Sequence, residues 1–464
     1  MKIQINNLGI IGEGTVNLNR NLTVFCGANG TGKTYFSYLI YALVSDNMSP
    51  VKPLSLQDME VLVDNGFVDI PIPTESAIEF RNKTIEIIKS RMNEIFGISK
   101  KNAERLFKDF EMSFLSPNEE FIKTIRKQAL IIDIKLSSNS FKVEKKRDRM
   151  EFRLRRDKRQ TITLETMQAL QLGVSSLVYQ RFLTHAINQA HIFVVERSSI
   201  FTFNKELSLS RATLVDTLHK EIDNNFNKNK ISKLIQSNST RYPLAISRNI
   251  RFASDLNQIK KDDCDYSSFA DDIEKQLLNG NHVDVDPEGN VYLQVNRNLT
   301  LPIHMAASVA KTLATLILTL RHKTHKGDLL IIDEPELNLH PAAQILFARI
   351  MARMINNGLR LLISTHSDYI IREINNMIMW GAIKNDDNTI RKELGYDKKE
   401  ILKKNNVGVY VFEFDSNSKN RVSINEIPVD DNGFEIESID SSIRLLNESG
   451  ENAYAIKLAQ INRK

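Results

Sequence analysis

Gly27-Ala28-Asn29-Gly30-Thr31-Gly32-Lys33-Thr34 follows the apolar run LTVFC (22–26) and precedes YFSYLIYALV (35–44), so a glycine-rich loop joins a strand pattern to a buried-helix pattern. The spacing G-x-x-x-x-G-K-[ST] in that context reads as a phosphate-binding loop. Gly27, Gly30 and Gly32 let the backbone turn tightly around Asn29, so that successive N–H groups point at a phosphate and the following helix adds its positive end. Lys33 would reach the β- and γ-phosphates, and the Thr34 hydroxyl would ligate Mg²⁺.

Two further apolar runs end in chemistry. Leu329-Leu330-Ile331-Ile332-Asp333-Glu334 is unbroken, as a buried parallel strand is, and closes on two acids. Charges at the carboxyl end of such a strand face the ligand crevice. Asp333 is expected to hold Mg²⁺, and Glu334 to polarise the water that attacks the terminal phosphoryl group. Leu361 to His366 (LLISTH) is a second such strand, one helix further on. There the His366 imidazole can hydrogen-bond a γ-phosphate and report its presence.

The rest of the chain frames these blocks. Its 464 residues exceed what one compact core serves, which predicts an ATPase core with an inserted lobe. With 42% hydrophobic and 26% charged residues the composition is that of a soluble globular protein. No apolar run is long enough to span a bilayer and MKIQINNLGI has no signal-peptide pattern, so the expected setting is cytoplasmic, without membrane contact. Cys26 and Cys264 are too few for a disulfide framework and lack metal-ligand spacing. The expected division is an ATPase core from residues 1–45 and 300–384, with 127–204 contributing strands and helices, and a helical insert at 46–126. A helical and hairpin lobe at 205–299, turning at DPEGN, and a C-terminal extension at 385–464 packed on the core complete it.

GANGTGKT, LLIIDEPELNLHP and LLISTHSDYI resemble the Walker A, Walker B with D-loop, and H-loop blocks of the ABC-type ATPases. Within that superfamily they are most similar to the RecF/Rad50/OLD branch and to the ATPase subunits of bacterial anti-phage systems of the Septu and PARIS kind. The resemblance covers about residues 1–45 and 300–375, with VVERSSI as a weaker third block. It implies an α/β fold: a P-loop ABC-type head with a mixed β-sheet core, an N-terminal antiparallel β-subdomain and an inserted, mainly helical lobe. It also implies ATP and Mg²⁺ as ligands and two heads that sandwich two ATP molecules.

In such a sandwich each site combines one subunit's Walker A with the other's signature loop. Here that stretch is Ala306 to Thr312, where Ser308 would donate to the γ-phosphate and Lys311 would supply charge, without the family's glycine. Asn338 in the D-loop would face the partner head. Glu196-Arg197-Ser198 stands where the family's glutamine loop falls, with Gln180 as a second candidate. The resemblance implies slow ATP hydrolysis in a homodimer or higher homo-oligomer that regulates a separate effector, a nuclease or toxin. A RecF-like repair ATPase and a self-contained OLD-type nuclease are the alternatives, the last opposed by the absence of a Toprim-like acidic set after His366. Lys142 to Arg159 holds ten basic and four acidic residues. This local charge of +6 is either a nucleic-acid stripe or the charged guard of an edge strand.

Overall fold

The computed structural model describes residues 1–45, 53–136, 139–157, 162–184, 187–203, 242–259, 264–383, 388–415 and 418–461. In chain order its strands begin with β1 (Lys2–Leu8), β2 (Ile11–Asn17), β3 (Leu22–Gly27), β4 (Phe67–Pro71), β5 (Glu111–Phe114), β6 (Leu130–Leu136), β7 (Asn139–Lys145) and β8 (Glu151–Arg156). They continue with β9 (Ala190–Phe193), β10 (His282–Val285), β11 (Val291–Asn296), β12 (Leu299–Pro302), β13 (Leu329–Asp333), β14 (Arg360–Ser364), β15 (Val407–Asp415) and β16 (Ser418–Ile427).

The large sheet has nine strands in the order β5-β1-β2-β16-β15-β3-β14-β13-β9. From β15 to β9 neighbours run parallel, and β1, β2 and β5 form an antiparallel wing. The difference follows from composition. Every residue of β3 and β13 is buried, as an unbroken apolar run requires, whereas β1 buries alternate side chains. Each fully buried Leu or Ile contributes roughly 1.5–3 kcal/mol, so these central strands fix the frame on which the loop is mounted. The helix Lys33–Ser45 buries ten of its thirteen residues and runs against β9, β13 and β14. The architecture is thus a mixed α/β fold with a P-loop ATPase head.

Several sequence expectations are revised. β6 and β8 do not extend the core sheet. They pair with β7 and β4 in a separate antiparallel sheet of order β4-β8-β7-β6. The stretch 46–126, expected as helical, therefore supplies β4 to this separate sheet and β5 to the large one, besides its helices. The tail differs most. VGVYVF is apolar at every position and is buried throughout, because β15 lies inside the large sheet beside β3 rather than on its surface. Phe412 and Tyr410 pack against Phe25 with ring centroids 5.1 and 6.1 Å away, and the Tyr410 hydroxyl accepts the Asn17 amide at 2.9 Å. The last helix, Glu437–Ile461, is exposed at its described side chains except the half-buried Ile443. Its polar runs, ESIDSS and NESGEN, interrupt any apolar stripe.

The hairpin at DPEGN joins β10 to β11, its turn held by the Asp286 carboxylate accepting from the amides of Glu288 and Asn290. Helices expected over 205–245 fall, up to residue 241, outside the described residues. No described helix is long and apolar enough to cross a membrane.

The basic stretch reads differently once partners are visible. Arg153 makes a two-pronged ion pair with Asp69 at 2.6 and 2.5 Å, and Arg155 and Lys142 face Glu144. Arg156 donates to the carbonyls of Leu62 and Val63 at the end of the helix Leu56–Asn65, and the Lys145 ammonium is buried on three carbonyls. These five cations are therefore engaged in contacts that hold this sheet and the segments beside it, while Lys142, Arg153 and Arg155 stay partly exposed. Lys158 and Arg159 lie outside the described residues.

Candidate active site

β3 delivers the glycine-rich loop beside the carboxyl ends of β13 and β14, and the chain must be bare there. Gly27 has φ +128°, and a Cβ on it would sit 2.2 Å from the Phe412 carbonyl oxygen in β15. Gly32, at φ +92°, would place a Cβ 2.9 Å from Ile11. Glycine alone satisfies both the backbone angle and the clearance.

Asn29, Gly30, Gly32, Lys33, Thr34, Asp333, Glu334 and His366 share one cleft of about 560 Å³, with Ile10, Tyr35 and Ser364 among its further walls. Gly27 forms the base of the loop rather than the cleft wall. The Lys33 ammonium donates to the carbonyls of Gly27 and Ala28 at 3.0 and 2.8 Å. Burial lowers its pKa, against the opposing pull of Asp333, Glu334 and Glu336.

The Thr34 hydroxyl donates to Asp333 Oδ2 at 2.8 Å, and the Ser364 hydroxyl donates to Asp333 Oδ1. Asp333 is thereby fixed by one hydroxyl from the loop and one from β14. Glu334 stands at φ +49°, a left-handed conformation uncommon outside glycine, which turns the chain sharply at the end of β13. Its carboxyl is half-buried, and burial, followed by Asp333 and Glu336, raises its pKa.

Three residues to which the motifs gave no such role hold this arrangement. Arg197, buried, donates to the carbonyls of Val194, Asp333 and Glu334 at 3.0, 2.6 and 2.7 Å. Burial lowers its pKa to about 10. The segment Glu196-Arg197-Ser198 thus acts from below the acids, through backbone contacts, and not as a loop facing the nucleotide cleft. Glu336 accepts from the Thr365 hydroxyl at 2.9 Å and from the His366 amide at 2.7 Å, tying the segment after β13 to the end of β14. Ser367 then caps the helix Asp368–Ala382. His366, between these two anchors, has its pKa lowered by burial and by Lys33. Ser364 is the third, visible in the sequence only as the polar end of an apolar run.

Gln180 is elsewhere. Its amide donates to the Leu43 carbonyl and ties the helix Leu164–Leu183 to the end of the helix Lys33–Ser45. Ser308 and Lys311 lie on the first turn of the helix Ser308–His322 and do not line the cleft of their own chain. Asn338, at φ +59°, is exposed and donates to Thr312 Oγ1 at 2.9 Å, so its amide also joins the D-loop to that same helix.

Solved structures similar to this chain are heads of structural-maintenance proteins. One is an Smc head bound to the C-winged helix domain of ScpA, with TM-score 0.36, 11% identity, and 92% of this chain and 97% of that chain covered. Another, derived from Pyrococcus furiosus, is an Smc head with an extended coiled coil bound to the C-terminal domain of ScpA, with TM-score 0.33, 10% identity and coverages of 96% and 98%. A third is the SMC head domain from Thermotoga maritima, with TM-score 0.29, 9% identity and coverages of 92% and 98%. No curated protein matches the chain. A family model described as an AAA ATPase domain matches residues 1–371, spanning the loop, the paired acids and His366. The chain belongs to that AAA ATPase domain family, and it is an ATPase that converts ATP and water to ADP and phosphate.

Proposed function

We propose that ATP lies in the cleft with its phosphates on the loop amides from Gly27 to Thr34, and that Glu334 activates the attacking water. The observation that carries this reading is the Thr34–Asp333 contact at 2.8 Å with Glu334 next in the chain. Two hard oxygen donors converge at the phosphate end of the cleft, which is the donor chemistry that Mg²⁺ takes. When bound there, the ion offsets phosphate charge. Lys33 exchanges its loop carbonyls for the β- and γ-phosphates, and His366 hydrogen-bonds the γ-phosphate as a neutral imidazole. Titrating a fluorescent ATP analogue into Lys33→Ala tests the placement: lost affinity is expected, and unchanged affinity removes the loop from binding.

Hydrolysis is completed by a second copy of the chain. Ser308 and Lys311 stand outside their own cleft, on the first turn of a helix, where a facing head brings them to its partner's γ-phosphate. Sedimentation of Glu334→Gln protein with ATP is expected to show a dimer, and a monomer under those conditions would remove the sandwich. The resemblance of the motif blocks further supports a cytoplasmic regulator of a separate nuclease or toxin in anti-phage defence. In cells carrying the neighbouring genes, Lys33→Ala is expected to abolish protection from phage. Protection equal to wild type would sink the defence reading.

A further inference from the structure

A second cleft, of about 670 Å³, opens in the insert beside the helices Thr74–Ser90, Met92–Phe96 and Lys100–Leu106. Its size is that of a small-molecule site. Lys89, Lys100 and Lys108 line it, against Glu104 as the one acid among its lining residues. None of the three lysines has an ion-pair partner among the described residues. Asn93 also lines the cleft. It is only 6% exposed, and its side-chain amide has no hydrogen-bond partner among the described residues. Its amide atoms are reached by solvent at the cleft, where a ligand can take the place of water as their partner. Phe107 supplies an apolar wall.

We propose that this cleft binds a phosphorylated small molecule of mononucleotide size, with its phosphate on Lys89, Lys100 and Lys108 and its polar head hydrogen-bonded to the Asn93 amide. The site is linked to the ATP cleft by rings. Phe107 stacks on Phe96 at 4.9 Å, and Phe96 lies 5.0 Å from Tyr35, which lines the ATP cleft. A ligand that shifts Phe107 therefore bears on the first turn of the phosphate-loop helix. Any effect on ATP affinity is reciprocal.

The probes are the ribonucleoside 5′-monophosphates of the common bases, titrated calorimetrically into Lys33→Ala protein to weaken binding at the ATP cleft. Saturable binding of at least one is expected, weakened about tenfold or more by Lys100→Glu with Lys108→Glu. Those side chains are exposed, so the pair leaves folding intact, which a thermal melt verifies. Asn93→Leu, scored only where its melt matches the parent, is expected to lose base selectivity. In otherwise wild-type protein at saturating ATP, the bound monophosphate is expected to change the hydrolysis rate, and the lysine-pair variant to show no change. No saturable binding of any probe at millimolar concentration overturns the site, as does binding that survives the lysine-pair substitution, since the ligand then sits elsewhere. Binding in this cleft with no change in rate overturns the coupling.

Discussion

Glu334 is the base in the proposed reaction, and its setting states what its removal is expected to do. The carboxyl is half-buried beside Asp333, while the backbone around it is held by Arg197 and by the Ser364 carbonyl, which accepts the Glu334 amide at 2.9 Å. Glu334→Gln keeps that geometry and loses the base. ATP hydrolysis is expected to fall about 100-fold or more with nucleotide affinity retained, read by phosphate release and by equilibrium titration. Arg197 acts at the same scale by another route. Replacing it with Met leaves carbonyls of Val194, Asp333 and Glu334 without their buried donor, and is expected to lower stability by about 2–4 kcal/mol. Chemical denaturation measures the loss, and an unchanged midpoint would remove Arg197 from the support of the acids. Glu334 stood out in the sequence as a candidate because acids close an apolar strand downstream of a phosphate-loop motif. It could not show the Arg197 role, because that arginine bonds to backbone carbonyls 136 and 137 positions away, and carbonyls have no residue identity to read.

At the scale of elements, the phosphate loop and β15 are one unit. A methyl group at Gly27 would stand 2.2 Å from the Phe412 carbonyl, with backbone on both sides and no flexible side chain to yield. Gly27→Ala is therefore expected to separate β3 from β15 and to abolish ATP binding, with a lower melting temperature. Full binding in that variant would mean the two strands are free to part. The loop, β13 and β14 were legible from periodicity and terminal charge. The charge count along β8 was incomplete for a definable reason: it does not reveal that Asp69, 84 positions earlier, faces Arg153. Reversing Arg153 is accordingly expected to destabilise the β4–β8 pair, seen as a lowered melt.

For the whole molecule, the two ends of the tail behave oppositely. β15 and β16 stand between β3 and β2 in the large sheet, while the helix Glu437–Ile461 leaves most of its described side chains exposed. A chain ending after residue 436 is expected to melt with the full-length protein and to retain ATP hydrolysis. A chain ending before Val407 leaves two sheet edges bare and is expected to aggregate. Soluble, active protein from the shorter chain would contradict the sheet order. The mixed fold was readable from the sequence, but this order was not, because nothing local tells an apolar strand at residue 407 which neighbour it will take.

That order has a consequence for synthesis. β3 leaves the ribosome long before β15 is made, so β3 waits for its neighbour through roughly 20–80 s of translation at about 5–20 residues per second. Over that interval the nascent chain carries an unsealed apolar edge next to the phosphate loop. Gly27 gains its fixed surroundings only when Phe412 arrives, so nucleotide capture is expected only of a chain that already includes β15. A ribosome that stalls in between releases a chain fit for chaperones or proteases, and not a half-active enzyme.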